Sequence, residues 1–299
     1  MSIKHLVLSG GGPLLFQTIG IVQQLENQNI FSRTNIESIY GTSSGAIVGL
    51  FVCLGYDWNV IDKFMIERPW EQLYYINTER IFNSFRQCGI YDHNIFIKSY
   101  KSLFEAKDIS IDITMKEFYE LTKIDYHLIS FEINKLQLED ISHETYPDVK
   151  VIDAIHMSAC LPIIFAPIFI ESKCFIDGGI IMNYPLQLCI DKYKSNEKYI
   201  LGVKHIYNNE TNSETMITKK STILEYISYI FVKLLRNNSL DTNELNKEIK
   251  YEIVCYEDFM SLNQITNTLK SSDKRTELLE KGIAIANNYI NEWKDFKEP

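Results

Sequence analysis

Residues 36–54, with the sequence IESIYGTSSGAIVGLFVCL, decide the fold. Ile36 to Tyr40 is a strand-like apolar run, and Ser44 to Leu54 has the composition of a buried helix. The junction, Gly41-Thr42-Ser43-Ser44-Gly45, matches G-x-S-x-G, the nucleophile elbow in which a sharp strand-to-helix turn exposes a serine hydroxyl. We therefore predict Ser43 as the nucleophile of an acyl-transfer hydrolase, although such short motifs also occur in ordinary small-residue turns.

The residues before the elbow repeat the alternation of strand and helix. Leu6 to Leu8 is a short apolar run that leads into a glycine turn, and Ile19 to Leu25 has helical spacing. This alternation predicts a parallel α/β sheet. Residues 56–125 are mostly helical in character, and a helix at Val151 to Ala159 ends before Pro162. Further strands are predicted at Tyr126 to Ile133, as a hairpin or strand pair at Phe169 to Ile176, and at Tyr199 to Val203.

The character of the chain changes beyond about residue 208. Asn208 to Lys220 is polar and predicts a loop, Ile223 to Leu235 predicts an apolar-faced helix, and residues 273–294 predict a last amphipathic helix. The helix at 223–235 could cover a site or contact lipid, but packing on the sheet is the commoner use of such a face. Without repeats or linkers, we predict a catalytic domain at 1–207 and a helical extension at 208–299 packed on it.

Composition excludes several classes of function. The 30 basic and 39 acidic side chains give a formal net charge of -9, which is unsuited to binding nucleic acid or an anionic membrane. The six cysteines stand singly in apolar stretches and predict reduced core residues of an intracellular protein. The chain shows no signal peptide, no membrane-spanning run and no metal-ligand set. We predict a cytoplasmic protein that needs no cofactor and that could also associate with the membrane periphery. It would contact lipid through apolar side chains.

Two further motifs lie at strand ends. Gly10-Gly11-Gly12 suits a phosphate site, an oxyanion hole or a tight turn, because backbone N–H groups there can point into a cavity. The phosphate-loop pattern itself is absent. Asp177-Gly178-Gly179 offers a carboxylate that could accept a serine proton, although alone it is more typical of a hairpin turn. His205 and His156 sit in apolar surroundings and are interpreted as structural, so the base is sought among carboxylates.

These motifs, in this order and spacing, resemble the patatin-like phospholipase family. The resemblance rests on residues 8–12 with Gly20 downstream, residues 41–45 and residues 177–179. Residues 153–167 add the pattern Ala-x-x-x-Ser-x-x-x-Pro-x-x-Phe-x-Pro. The resemblance extends from about residue 5 to about residue 205, with further similar residues at Thr114, Phe118 and 146–149.

The resemblance implies a three-layer α/β/α patatin-like fold with a mainly parallel central sheet and a helical C-terminal layer. It implies that Ser43 attacks an ester carbonyl, that Asp177 is the general base, and that water hydrolyses the acyl-enzyme. The oxyanion hole would be formed by the N–H groups of Gly10, Gly11 and Gly12. The glycines that support the motifs would be Gly41, Gly45, Gly178 and Gly179. The expected substrate is a lipid ester, in the first place a phospholipid at a membrane surface, and no metal is required.

Two positions depart from the family pattern. Leu14 and Leu15 occupy the places where the family usually has a basic residue and another glycine. This departure puts the rate and the head-group preference in doubt, but it leaves the backbone donors in place. The alternatives are a lysophospholipase, neutral lipase or thioesterase on the same dyad, or a catalytically silent protein that binds lipid or a partner. The oligomeric state stays open.

Overall fold

The computed structural model describes residues 3–194, 197–207, 217–219, 221–223, 226–227, 229–230, 249–258 and 262–295. The strands are β1 (His5–Leu8), β2 (Ser38–Thr42), β3 (Gly89–Tyr91), β4 (Asp125–Glu132), β5 (Gln137–Ile141), β6 (Ile163–Phe165), β7 (Ile168–Ile170), β8 (Lys173–Asp177), β9 (Ile200–Tyr207) and β10 (Tyr251–Glu257). The helices are α1 (Leu15–Asn27), α2 (Ser44–Leu54), α3 (Trp58–Glu67), α4 (Trp70–Leu73), α5 (Thr78–Gln87), α6 (Asn94–Glu105), α7 (Met115–Thr122), α8 (Val151–Ala159), α9 (Leu186–Tyr193), α10 (Leu262–Lys270) and α11 (Ser272–Asp295).

The central sheet is mostly parallel, as predicted. Its order is β10-β9-β1-β2-β4-β8-β7, and the five strands from β10 to β4 run parallel to one another. β8 is antiparallel to β4 and to β7, and β5 pairs antiparallel with β4. A separate two-stranded ribbon joins β3 to β6. The carboxyl ends of β1 and β2 therefore open at the same edge of the sheet, where open α/β folds place their sites.

Successive residues of the inner strands point to opposite faces of the sheet. Leu6 and Leu8 belong to the larger core, together with side chains of α1 and α2, whereas Val7 belongs to the smaller core with side chains of α9. Ile39 and Tyr40 of β2 divide in the same way. On the larger side, α1 packs against α11. The strands are buried on both faces, which produces the predicted three layers of helix, sheet and helix.

The C-terminal part contributes more than helices. The predicted helix at 273–294 is confirmed as α11, but strand β10, which pairs with β9 as an edge of the central sheet, was not predicted. Much of the predicted loop at 208–220 and helix at 223–235 lies outside the described residues; residues 223, 226, 227, 229 and 230 are helical. The boundary between 207 and 208 stays a prediction, and the residues after it extend the same sheet.

Five of the six cysteines are buried free thiols, as predicted for core residues. The prediction is wrong for Cys88, which is exposed. Cys88 follows α5 in a left-handed conformation with a φ of 61° and therefore ends the helix at the surface.

A buried charged cluster lies near the start of β4, away from the elbow. The His127 Nδ1 atom lies 2.8 Å from the Asp140 carboxylate, and Nε2 lies 3.1 Å from Asp125 Oδ2. The ring also stacks on Tyr40 with 4.0 Å between centroids. Burial lowers the pKa of His127, but the hydrogen bonds to Asp125 and Asp140 outweigh burial and raise it overall. The two carboxylates therefore favour the protonated form of His127.

Candidate active site

Ser43 lies at the sharp turn between β2 and α2. Its backbone has a φ of 54° and a ψ of −120°, in a region that L-residues rarely adopt. Such strain persists only where the surroundings enforce it, and it is typical of functional turns. The turn leaves the Ser43 side chain half-buried at the carboxyl edge of the sheet, while the flanking residues Thr42 and Ser44 are buried.

Two glycines allow this turn to form. A Cβ on Gly45 would lie 2.2 Å from the Leu8 carbonyl oxygen, and a Cβ on Gly41 would lie 2.6 Å from the Ala46 nitrogen. Both distances are far inside van der Waals contact, so neither position accepts a larger residue without backbone movement. The G-x-S-x-G spacing thus follows from the close approach of α2 to β1 and from the tightness of the turn.

The sheet register brings Ser43 and Asp177 together from distant parts of the chain. Thr42 pairs with Ile129 on one side of β4, and the next β4 residue, Ser130, pairs with Asp177 of β8. The Ser43 Oγ atom consequently donates a hydrogen bond of 2.6 Å to Asp177 Oδ2. This distance is typical of a charge-assisted O–H···O⁻ bond, and it gives the serine proton a direct acceptor.

The Asp177 carboxylate is buried and accepts a second hydrogen bond. The Gly179 N–H donates to Asp177 Oδ1 at 2.8 Å. Gly178 lies against β4, since a Cβ there would be 2.3 Å from the Ile129 carbonyl oxygen. Burial raises the pKa of Asp177 from 3.8 to about 6, against the hydrogen bonds from Ser43 and Gly179, which lower it. The carboxylate is therefore ionised at neutral pH yet more basic than an ordinary aspartate.

Ser158 of α8 forms a hydrogen bond with the backbone of the elbow. The Ser43 N–H donates to Ser158 Oγ at 3.0 Å, and the Ser158 hydroxyl donates to the Ile129 carbonyl at 2.7 Å. Sequence analysis placed Ser158 in the family pattern but gave it no role. These contacts tie α8, β4 and the elbow together, and they occupy the Ser43 N–H in this structure.

The glycine loop lies beside the serine. A Cβ built on Gly10 would be 3.0 Å from Ser43 Cβ, so the loop and the elbow are in direct contact. The Gly10 N–H, however, donates to the Asn183 carbonyl at 3.1 Å. Among the described residues, the N–H groups of Gly11 and Gly12 have no such acceptor. The three glycines predicted as donors thus differ, because only the last two have unengaged N–H groups.

Asn183 is a site residue that sequence analysis missed. Its side chain Nδ2 donates to the Gly10 carbonyl at 3.1 Å, while its own carbonyl accepts from the Gly10 N–H. The available signal was its place six residues after Asp177, immediately before the turn-forming Tyr184-Pro185. Asn183 therefore joins the loop after Asp177 to the glycine loop and fixes the distance between them.

In the described part of the chain, neither histidine interpreted as structural hydrogen-bonds to Ser43 Oγ. His205 is buried behind the glycine loop, where its Nε2 lies 2.9 Å from Thr18 Oγ1, and burial lowers its pKa to about 4. His156 is buried in α8, with Nε2 2.9 Å from the Ala166 carbonyl. Their packing supports the search for the base among carboxylates. Leu14, one of the two departures from the family pattern, is also buried.

Within the described ranges, no cluster of three or more His, Cys, Asp or Glu side chains has the geometry to hold a metal ion. Nor does any helix in that part of the chain combine the length and apolar character needed to cross a membrane.

The chain matches a known protein family over a range that contains the elbow, the glycine loop and the aspartate. A family model described as patatin-like phospholipase matches residues 6–190, which is more than half of the chain. The chain belongs to the patatin-like phospholipase family. The matched range includes Ser43, Asp177 and Asn183, and membership supports lipid hydrolysis as the class of activity.

Two relatives of this patatin-like protein are viral proteins. It is 26% identical over 252 residues to the probable lipid hydrolase 463L of Invertebrate iridescent virus 6, covering 82% of this chain and 81% of the relative. It is 25% identical over 248 residues to the uncharacterized protein R571 of Acanthamoeba polyphaga mimivirus, covering 82% and 80%. Among solved structures, VipD from Legionella pneumophila aligns with a TM-score of 0.51 at 16% identity, covering 94% of this chain and 67% of VipD. That likeness concerns the fold alone.

Proposed function

We propose that this protein is a serine hydrolase that cleaves acyl esters of lipids through a Ser43–Asp177 dyad. The observation that carries the proposal is the 2.6 Å hydrogen bond from the Ser43 hydroxyl to a buried carboxylate whose pKa is raised to about 6. Such a carboxylate is ionised at neutral pH and basic enough to accept the serine proton in the transition state.

The proposed reaction has two halves. Ser43 Oγ forms a bond to the ester carbonyl carbon while its proton passes to Asp177. The tetrahedral intermediate then collapses, the carbon–oxygen bond to the leaving alcohol breaks, and that alcohol takes the proton from Asp177. In the second half, water attacks the acyl-enzyme as Asp177 accepts its proton. The fatty acid leaves and Ser43 Oγ is reprotonated.

We assign stabilisation of the oxyanion to Gly11 and Gly12. The N–H groups of Gly10 and Ser43 already donate to Asn183 and to Ser158, whereas those of Gly11 and Gly12 have no acceptor among the described residues. The amino-terminal end of α2 adds a favourable field for negative charge near Ser43. One such donor typically contributes on the order of 100-fold or more to the rate.

The proposed substrate is a phospholipid, hydrolysed in the manner of a phospholipase A. The family description supports this choice, and the name of the relative from Invertebrate iridescent virus 6 agrees with a lipid hydrolase. Leu14 stands where the family usually has a basic residue, so we expect little selection for acidic head groups. We propose that the protein acts from the aqueous phase at a membrane surface.

Mass spectrometry of lipid products tests the proposal. Native protein and the Ser43→Ala variant would each be incubated with phospholipid vesicles, lysophospholipid, triacylglycerol and an acyl thioester. Native protein is expected to release fatty acid and lysophospholipid from the vesicles, and the variant is expected to release neither. Preference for another panel member would reassign the substrate. If native protein releases no more product than Ser43→Ala from any of these lipids, only a binding role remains.

A further inference from the structure

Helix α5 exposes its apolar side to solvent. Ile81, Phe82 and Phe85 lie on one side of the helix, because Phe82 stands three and Ile81 four residues before Phe85. Their side chains are 47%, 69% and 81% exposed, respectively. We call these three residues the apolar stripe. A surface helix normally buries such a face against the core, so an exposed aromatic stripe points to an interaction surface.

The polar side of α5 faces the protein. The Arg80 guanidinium stacks over Tyr91 at 5.0 Å from the ring centroid, and Gln87 Nε2 donates to the Gly89 carbonyl at 2.9 Å. At the start of the helix, Asn77 accepts a hydrogen bond from the Arg80 N–H at 2.9 Å. The Arg80 contact with β3 shows which side of α5 turns inward, whereas the Asn77 cap fixes where the helix begins. The outward direction of the apolar stripe is therefore built into the structure.

Helix α5 is connected to the active site through the β3–β6 ribbon. β3 follows α5 directly and pairs with β6, which begins three residues after Cys160. The Cys160 carbonyl accepts the Asp177 N–H at 2.9 Å. Further exposed apolar side chains include Phe169 on β7 and Ile181, four residues after Asp177. The chain of contacts from the apolar stripe to the base of the proposed dyad thus runs through β3, β6 and the Cys160 carbonyl.

We propose that the apolar stripe inserts into the surface of the lipid bilayer that contains the substrate. The inference rests on the proposed function, which places the substrate in a bilayer. A ten-residue helix with one apolar face can lie in the plane of the interface with that face among the acyl chains. The Arg80 guanidinium stacks against Tyr75 and Tyr91, and the exposed Glu79 and Arg86 offset each other, so docking depends on the apolar stripe and not on charge.

The charge of the whole chain predicts the kind of docking. With 39 acidic and 30 basic side chains, the protein has no overall attraction to an anionic surface. Insertion of the apolar stripe must therefore supply most of the binding free energy. We expect binding to zwitterionic phosphatidylcholine vesicles that persists in high salt and gains little from added anionic lipid.

Vesicle sedimentation tests the docking surface separately from catalysis. The full chain carrying Ser43→Ala would be sedimented with phosphatidylcholine vesicles, so that turnover does not alter the lipid. Adding Phe82→Ser and Phe85→Ser is expected to lower the partition coefficient by about tenfold or more, because two aromatic side chains no longer enter the bilayer. The matched control is Leu121→Ser with Leu136→Ser, which removes two apolar side chains that are 57% and 72% exposed on α7 and on the β4–β5 turn. The control is expected to bind as before.

Thermal unfolding would show that each variant is folded, and Phe85→Ser alone should give an intermediate loss of binding. The proposal is overturned if the chain that carries only Ser43→Ala does not bind vesicles. It is also overturned if the variant with Phe82→Ser and Phe85→Ser binds as well as the control variant. Self-association that the pair abolishes, without vesicle binding, would instead assign the surface to a second copy of the chain. Vesicle binding by a native protein that hydrolyses no ester would overturn the proposed function and leave the docking surface standing.

Discussion

Replacing Asp177 with asparagine separates the catalytic role of the carboxylate from its cost to stability. Asparagine preserves the shape of the side chain. Its oxygen can accept the Gly179 N–H, and its amide can donate to Ser43 Oγ, so both hydrogen bonds of Asp177 have counterparts. The buried negative charge is the property that disappears. We expect Asp177→Asn to be folded, inactive and, at neutral pH, more stable than the native protein.

The magnitude follows from the pKa of Asp177. Burial raises this pKa from 3.8 to about 6, a difference of about two units, and one unit corresponds to about 1.4 kcal/mol. Because the folded state holds the proton more tightly, the stability that Asp177 contributes is complete below its unfolded pKa of 3.8 and is lost as pH rises through about 6. The ionised carboxylate therefore costs about 3 kcal/mol above that window, and Asp177→Asn avoids this cost.

Urea denaturation of both proteins across this pH window measures the effect. The stability advantage of Asp177→Asn should grow by about 2 to 3 kcal/mol between about pH 4 and about pH 8. Hydrolysis should fall by roughly 100-fold to 10,000-fold in the variant, and native activity should rise with pH through about 6 as Asp177 ionises. A pH-independent stability difference, or a variant that hydrolyses lipid at the native rate, would refute the reasoning.

Three further predictions concern residues around the site and elsewhere. Ser158→Ala leaves the Ser43 N–H without its acceptor, so the free energy of unfolding measured by urea denaturation should fall by about 1 to 3 kcal/mol. A variant as stable as the native protein would contradict that role of Ser158. The stability contributed by protonated His127 is complete below its unfolded pKa of 6.5 and is lost as pH rises through its raised folded pKa. The destabilisation caused by His127→Gln should therefore shrink at alkaline pH, and a constant difference in the free energy of unfolding would argue against a buried cation. In the folded protein, iodoacetamide should modify Cys88 and spare the five buried cysteines, as peptide mapping would show, and equal modification of all six would contradict the burial pattern.

Local patterns were sufficient for the elbow and for the strands that lead to it. The spacing of Gly41, Ser43 and Gly45 expresses a local steric requirement, because Gly45 lies against the Leu8 carbonyl. The Phe169 to Ile176 hairpin likewise appears as β7 and β8. The pairing of Ser43 with Asp177 depends on the register of β4 with two other strands. That register is a tertiary property, and only the family resemblance supplied it.

What sequence analysis missed depends on contacts between distant segments. Asn183 matters because its amide meets Gly10 from a loop more than 170 positions away. Strand β10 had a readable signal, since its buried residues alternate along the chain, but no turn or glycine motif marked it as part of the sheet. Helix α5 has an amphipathic pattern whose usual reading is an apolar face turned inward. In the structure the Arg80 side chain stacks over Tyr91, so the polar side of α5 turns inward instead.

Labelling of the folded protein with a fluorophosphonate tests the central claim most directly, because the reagent reports an activated serine without knowledge of the lipid. Tandem mass spectrometry would locate the modification within the peptide that contains Ser43 and Ser44. We predict phosphonylation of Ser43 in native protein and in Ser44→Ala, and no modification of this peptide in Ser43→Ala. A folded native protein that stays unlabelled, or one labelled at another residue, would contradict Ser43 as the nucleophile.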